Sequence, residues 1–417
     1  MAPASSADQS PVFYLCGDTA RNPTRSGIQT VVRSLAAAFG ELRAPVRLAI
    51  WHGGSRGPAL RPFPAVWSLG LGAESLREPP VNLADFLQHP AAWPSLLAAG
   101  GVPARVSLDR YPRSQAAPLG TWVLLPELIY LPHRTSHLVE LVHRLGWRLA
   151  AIVHDAIPVQ HPEFVPADLP AAHAEYLRGL SRADLILPNS EATAEGWREF
   201  IAREQLPSPR VEVCPLACDL PGTPRVRVPL PSTAGAGSTV RMLCVSTLEP
   251  RKNHRALFTA YERAAARRPG LRLELDLVGA SYVGAGDLGD AARALVSRHP
   301  GRVRWHERVE HPLLQRLYAE CDFTVYPSVL EGFGLPVIES LWFARPCLCA
   351  DFGVMAENAR GGGCLTADVR DPEALAAAIL RLADSSELRQ RLSAVATTRH
   401  LKTWREYAGE LLAAMRQ

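Results

Sequence analysis

Apolar residues along the chain arrive in two alternating patterns. Short continuous runs, 12–16 (VFYLC), 45–51 (PVRLAIW), 121–127 (TWVLLPE), 147–155 (WRLAAIVHD), 183–189 (ADLILPN) and 211–216 (VEVCPL), have the length and composition of buried strands. Between them, at 28–39, near 135–146, near 168–180 and after the SEAT of 190–193, apolar positions return every three to four residues, as in a helix packed on one face. The alternation restarts further on. It predicts strands over 241–247, 271–278, 302–306, 322–326 and 346–350, and helices over 254–267, near 287–298, 311–319, 336–345, 372–384, 387–396 and 400–416. Strands alternating with helices mean parallel sheets covered on both faces, here twice over.

The tract LPGTPRVRVPLPSTAGAGS (220–238) has neither period and reads as a linker. A chain of 417 residues also exceeds the usual size of one core. The expected organisation is therefore α/β, with one doubly wound domain over 1–225, a second over 239–398 and a last helical segment over 399–417. Residues 52–120, rich in proline and weakly periodic, read as an elaboration of the first domain. Ligands of such sheets bind outside the carboxyl ends of the strands, so chemistry is expected in the loops that follow strands.

Composition narrows the function classes. A net charge of +4 permits anionic ligands and argues against broad nucleic-acid binding. The eight cysteines, at 16, 214, 218, 244, 321, 347, 349 and 364, form no paired framework and read as buried thiols of a reducing compartment. Cys214 and Cys218 have no second pair at zinc spacing. The N-terminal MAPASSADQSP lacks the basic and apolar regions of a signal peptide, and no apolar run is long enough to span a membrane. A cytoplasmic protein is expected. Peripheral contact with the inner membrane has one candidate, HRTSHLVELVHRLGWR (133–148), with Arg134, His143, Arg144 and Arg148 on an amphipathic helix; a core-facing helix is the favoured reading.

Four strand ends carry candidate chemistry. In VLEGFGLPVIES (329–340), Gly332 and Gly334 let backbone approach a ligand, and Pro336 suits a first helical turn. Amides near 333–336 offer an anion site at a helix start. Glu331 before the helix and Glu339 within it suit hydroxyls rather than phosphate. The corner thus fits a ligand with both a phosphate and a polyol. In STLEPRKNH (246–254), Arg251 and Lys252 suit a diphosphate, and Asn253 is placed to cap the next helix. In AIVHDAIPVQHPE (151–163), His154 ends an apolar strand; a metal set of His154, Asp155 and His161 is the weaker alternative. Gly27, in RSGIQTVV, begins the first helix without a dinucleotide fingerprint.

With these segments in place, the chain resembles the retaining glycosyltransferases of family four, which have the GT-B fold, over most of residues 10–415. EGFGLPVIES is similar to that family's E-x7-E motif, with Glu331 and Glu339 as its acids. VSTLEPRKNH resembles its V-G-T-L-E-P-R-K-N box, with Ser246 where the family has glycine. VHDAIPVQHPE and PNSEAT (188–193) resemble its His-Asp-x-x-P and P-x-S-x-x-T segments. SGIQTVVRSL resembles a segment typical of members that build bacterial surface polysaccharides, often as mannosyltransferases. In ESLWFARP, Trp342 and Arg345 take positions the family gives to small residues.

The resemblance implies two Rossmann-like domains facing a cleft, acceptor-binding then nucleotide-sugar-binding, with the last helix crossing back to the first. It implies Arg251 and Lys252 on the diphosphate, Glu331 on the donor sugar and Glu339 on the ribose. Gly27, Thr247, Gly332, Phe333, Gly334 and Leu335 would line the donor, and His154 would lie near the reacting carbon. It implies no metal and no cofactor beyond a nucleotide-diphosphate sugar, GDP-mannose foremost, and a glycan or lipid-linked acceptor as partner. The alternatives are another donor sugar with a small-molecule acceptor, a GT-B epimerase or phosphorylase, and a non-catalytic sugar-nucleotide-binding subunit.

Overall fold

The computed structural model describes residues 12–16, 19, 27–44, 46–54, 57–62, 120–130, 133–217, 219–220, 223–230, 239–282 and 284–417. Most of the expected elaboration over 52–120, and Cys218, lie outside the described residues. The chain divides into two compact units, one of residues 1–160, 167–216 and 404–417, the other of 161–166 and 217–403.

The first unit is built on β1 (Val12–Leu15), β2 (Val46–Gly54), β3 (Gly57–Pro62), β4 (Trp122–Leu125), β5 (Arg148–Val153), β6 (Leu185–Pro188) and β7 (Arg210–Val211). Their order is β3-β2-β1-β4-β5-β6-β7. All pairings are parallel except β2–β3, an antiparallel hairpin that the weak periodicity past residue 52 did not disclose. The apolar runs sit where a two-faced sheet needs them: every residue of β1, β4 and β6 is buried. The helix Arg134–Arg144 turns Leu138, Val139, Leu141 and Val142 into that core, while His143 and Arg144 stay exposed. Its apolar face is thus used by the core. The last helix, Trp404–Ala414, packs on Gly27–Glu41 within this unit. Among the described residues no helix is long and apolar enough to cross a membrane.

The second unit holds β8 (Val240–Val245), β9 (Leu273–Val278), β10 (Val303–His306), β11 (Phe323–Tyr326), β12 (Cys347–Ala350) and β13 (Cys364–Ala367), in the order β10-β9-β8-β11-β12-β13 and all parallel. β13 and the helix Gly353–Ala359 add to the elements the pattern predicts, because both are too short to show a period. Gly279, just past β9, has φ +144°, and a Cβ there would collide with the Ser246 carbonyl. Only glycine lets these two loops cross. Cys16, Cys214, Cys244, Cys321, Cys347 and Cys349 are buried free thiols, and Cys364 is half-buried.

Two local expectations need correction. The helix expected over 336–345 ends at Trp342, and the left-handed residue beyond it is Ala344 (φ +54°), one position before Arg345. Arg345 then needs no glycine-like backbone, and its amide donates to the Ser340 carbonyl at 2.9 Å. Residues 223–230, read as linker, lie fastened along the second unit: the Trp342 indole donates to the Thr223 carbonyl at 3.1 Å, and the Leu230 amide to the Ser393 hydroxyl at 2.8 Å. Their bonds run to residues far along the chain, which no local period reveals.

Candidate active site

The loop after β8 and the corner after β11 meet in one buried, ion-paired cluster. Glu331 accepts from Arg251 Nη1 at 2.8 Å and from the hydroxyls of Tyr326 and Ser328, each at 2.7 Å, and its Oε1 is ion-paired to Lys252. Lys252 also donates to the Tyr326 hydroxyl at 2.9 Å and lies 5.4 Å over that ring. Arg251 Nε stands 3.0 Å from Glu249, and its Nη1 donates to the Leu330 carbonyl at 2.9 Å. The backbones are tied as well, since the Val329 amide donates to the Arg251 carbonyl at 2.9 Å.

Burial opposes each of these charges, and the partners decide the outcome. Burial raises the Glu331 carboxyl, but Lys252 and Arg251 outweigh it and hold it at about 2. For Lys252 burial prevails over the pull of Glu331, and its pKa is lowered. Arg251 is desolvated too, yet Glu331 and Glu249 hold it above its ordinary value. Two cations and two carboxylates balance. Arg251 Nη2 and the third Lys252 N–H have no protein partner among the described residues, and these are the donors left for a ligand.

The helix Leu335–Trp342 starts at this cluster. Gly334 precedes it with φ +85°, and a Cβ there would strike Met355 Cε. Pro336 lies in the first turn, which carries no acidic side chain, so the positive helix end is not neutralised from within. Phe333 is buried, and its carbonyl accepts from Asn358 Nδ2. Glu339, one turn in, accepts from the Tyr318 hydroxyl at 2.9 Å on Oε2. Burial raises its pKa, opposed by that hydrogen bond. Tyr318 is itself fully buried and stacked on Phe343, ring centroids 4.9 Å apart.

Thr247 is half-buried in the loop after β8. The extra atoms of Ser246 turn inward, its hydroxyl 3.0 Å from His254 Nε2. Asn253 does not cap the following helix. It is itself left-handed (φ +58°), and its Nδ2 donates to the Val369 carbonyl at 2.7 Å.

In the first unit, His154 directly follows β5 and is 5% exposed. Its Nε2 lies 2.7 Å from the Pro126 carbonyl, so that nitrogen carries the proton and Nδ1 is the acceptor. Burial lowers its pKa, keeping the ring neutral. Asn189 and Thr193 donate to the His154 carbonyl at 2.9 and 3.3 Å, while Ser190 caps the helix Glu191–Arg203. The PNSEAT segment is thus the brace of His154. Asp155 accepts the Ile157 amide and His161 pairs with Glu163, so each member of the candidate metal set has a partner of its own. Gly27 opens its helix with open space where a Cβ would stand.

A family model of glycosyl transferases group 1 matches residues 239–385, the span that holds the cluster. The O-antigen chain mannosyltransferase B of Escherichia coli is 30% identical over 306 residues, which cover 72% of this chain and 75% of that protein. This chain belongs to the group 1 glycosyltransferases. Crystallised Anabaena HepE in complex with UDP aligns with a TM-score of 0.62 at 14% identity, over 97% of this chain and all of that one. Sucrose-phosphate synthase of Thermosynechococcus elongatus does so with a TM-score of 0.62 at 18% identity, over 98% and 99%. The glycosyltransferase therefore has the GT-B fold, two Rossmann-like α/β units.

Four residues of this glycosyltransferase's cluster region escape sequence reasoning: Tyr326, Ser328, Glu249 and Tyr318. Tyr326 and Ser328 end the strand run DFTVYPS, where a polar pair closing an apolar strand is a usable signal. Glu249 lies within the quoted box and lacks only a reason to be singled out. Tyr318 is a core aromatic by pattern, and only the fold aims its hydroxyl at Glu339.

Proposed function

We propose that this glycosyltransferase is a retaining mannosyltransferase. In this reading it moves mannose from GDP-mannose to a glycan or lipid-linked glycan acceptor in surface polysaccharide synthesis. The donor and pathway follow the likeness to the O-antigen mannosyltransferase. The chemistry rests on one observation, the Arg251–Lys252–Glu331 cluster beside a helix start without acidic residues.

The donor's diphosphate takes Arg251 Nη2, the third Lys252 N–H and the helix amides. These donors stabilise the charge that develops as the diphosphate departs. Glu339 offers Oε1 to the ribose while Tyr318 fixes Oε2. Glu331 already receives four donors, three on Oε1 and one on Oε2, so Oε1 is fully used while Oε2 keeps an acceptor site. It holds the two cations in place, and its Oε2, which receives only Arg251, is the oxygen that takes a sugar hydroxyl. His154, neutral and protonated on Nε2, offers Nδ1 to the sugar near the reacting carbon. Attack from the face of the departing diphosphate, through an oxocarbenium-like state, retains the anomeric configuration. The reaction is cytoplasmic, and the acceptor's lipid supplies any tie to the membrane, since the apolar face of Arg134–Arg144 is buried.

The test is turnover with GDP-mannose, GDP-fucose, UDP-glucose and UDP-N-acetylglucosamine on lipid-linked oligosaccharides, with the product's anomeric configuration read by NMR. Nucleotide release from GDP-mannose alone of the four, with retention, is expected. Preference for a UDP-sugar would end the mannosyl assignment, and an inverted product the retaining one.

A further inference from the structure

Residues 223–230 belong to the second unit rather than connecting two. The Val226 amide donates to the Trp342 carbonyl at 3.0 Å, Trp342 returns its indole N–H to the Thr223 carbonyl, and the Arg225 guanidinium lies 5.8 Å over the indole. Arg225 Nη2 donates to the carbonyls of Ala396 and Arg399, the former at 2.7 Å, tying this strap to the segment by which the chain leaves the unit again. Gln315 donates to the Thr223 hydroxyl, and Arg227 to the Thr397 carbonyl at 3.3 Å.

The apolar side of the strap has a specific place. Leu220 and Val226 pack in one cluster with Leu243, Val278, Cys321, Tyr318 and Phe343. Tyr318 is the residue whose hydroxyl holds Glu339, and Phe343 is the ring stacked on it. Trp342, which departs from the family's small residue, ends the same helix that carries Glu339. The strap therefore clamps that helix at its last residue and walls the stack that aims its carboxylate.

We propose that the strap is a positioning element of the donor site, with Arg225 and Trp342 as positioning residues that set the orientation of Glu339 through Tyr318. This rests on the reading that Glu339 binds the nucleotide. A wall that only stabilised the fold would change the unfolding temperature and leave nucleotide affinity alone, and a double-mutant cycle separates the two roles.

The experiment titrates the full chain with GDP, and with UDP in parallel, by calorimetry well below each variant's unfolding temperature. Arg225→Ala, Trp342→Phe and Tyr318→Phe are measured in the wild-type and the Glu339→Gln backgrounds. Each is expected to weaken binding of the preferred nucleotide about three- to tenfold in the wild-type background and less than twofold with Glu339→Gln. Equal losses in both backgrounds, or no loss from Arg225→Ala, would overturn the proposal. Should Arg225→Ala fail to fold, Tyr318→Phe and Trp342→Phe decide it alone. If Glu339→Gln by itself leaves nucleotide affinity unchanged, the reading of Glu339 falls and this inference with it, a result distinct from equal losses.

Discussion

Lys252 and Glu331 form a buried ion pair across the carboxyl ends of two neighbouring strands, β8 and β11. Neither group is stable there alone. Removing one member of such a pair leaves an uncompensated charge, which costs about 3–5 kcal/mol. Lys252→Ala should therefore lower both stability and turnover, the latter by about a hundredfold or more. Adding Glu331→Gln should recover much of the unfolding temperature without recovering turnover. Recovery of both in the double variant would show that Lys252 serves the fold and not the reaction.

The two glutamates should part company in binding. Glu331→Gln weakens the grip on Arg251 and Lys252, so affinity for bare GDP should hold or rise while turnover falls. Glu339→Gln removes a charged acceptor from the nucleotide and should cost about 1.5–3 kcal/mol of GDP affinity. Calorimetry on both variants checks this. Equal losses for the two would contradict the division of labour.

Their pH dependences run in opposite senses. The depressed Glu331 pKa, about 2 in the fold, means its contribution to stability is complete above the ordinary carboxylate value and is lost as pH falls toward about 2. The raised Glu339 pKa means that ionising it costs the empty fold stability once pH rises past the ordinary value. Glu339→Gln should thus raise the unfolding temperature of the unliganded protein at neutral pH. It should also abolish an acid limb in GDP affinity that lies above the ordinary glutamate range. An acid limb unchanged in Glu339→Gln would assign it to another group.

Because cationic side chains and a helix start supply the proposed diphosphate contacts, turnover should withstand excess EDTA. A loss reversed by magnesium or manganese would require a metal in the step that these donors are assigned.

Much of this protein is written in the order of its residues. The alternation of buried runs and 3.6-residue periods determined the two parallel-sheet units, because a strand buried on both faces must be continuously apolar. The glycines at 332 and 334, the proline at 336 and the paired acids marked the corner, because backbone approach and helix starts are local demands. What the tertiary structure alone decided is who partners whom. Arg251 and Lys252 read as ligand-binding cations, and they are, first of all, the counter-ions of Glu331. Ser246 read only as a departure from the family's glycine and proves to face His254. Residues 223–230 read as empty linker because their partners, Trp342, Ser393, Ala396 and Arg399, stand more than a hundred residues away. Periodicity records which side of an element is buried. Charge pairing and side-chain direction are settled by the crossing of distant loops at the ends of the sheet, and they leave no period to read.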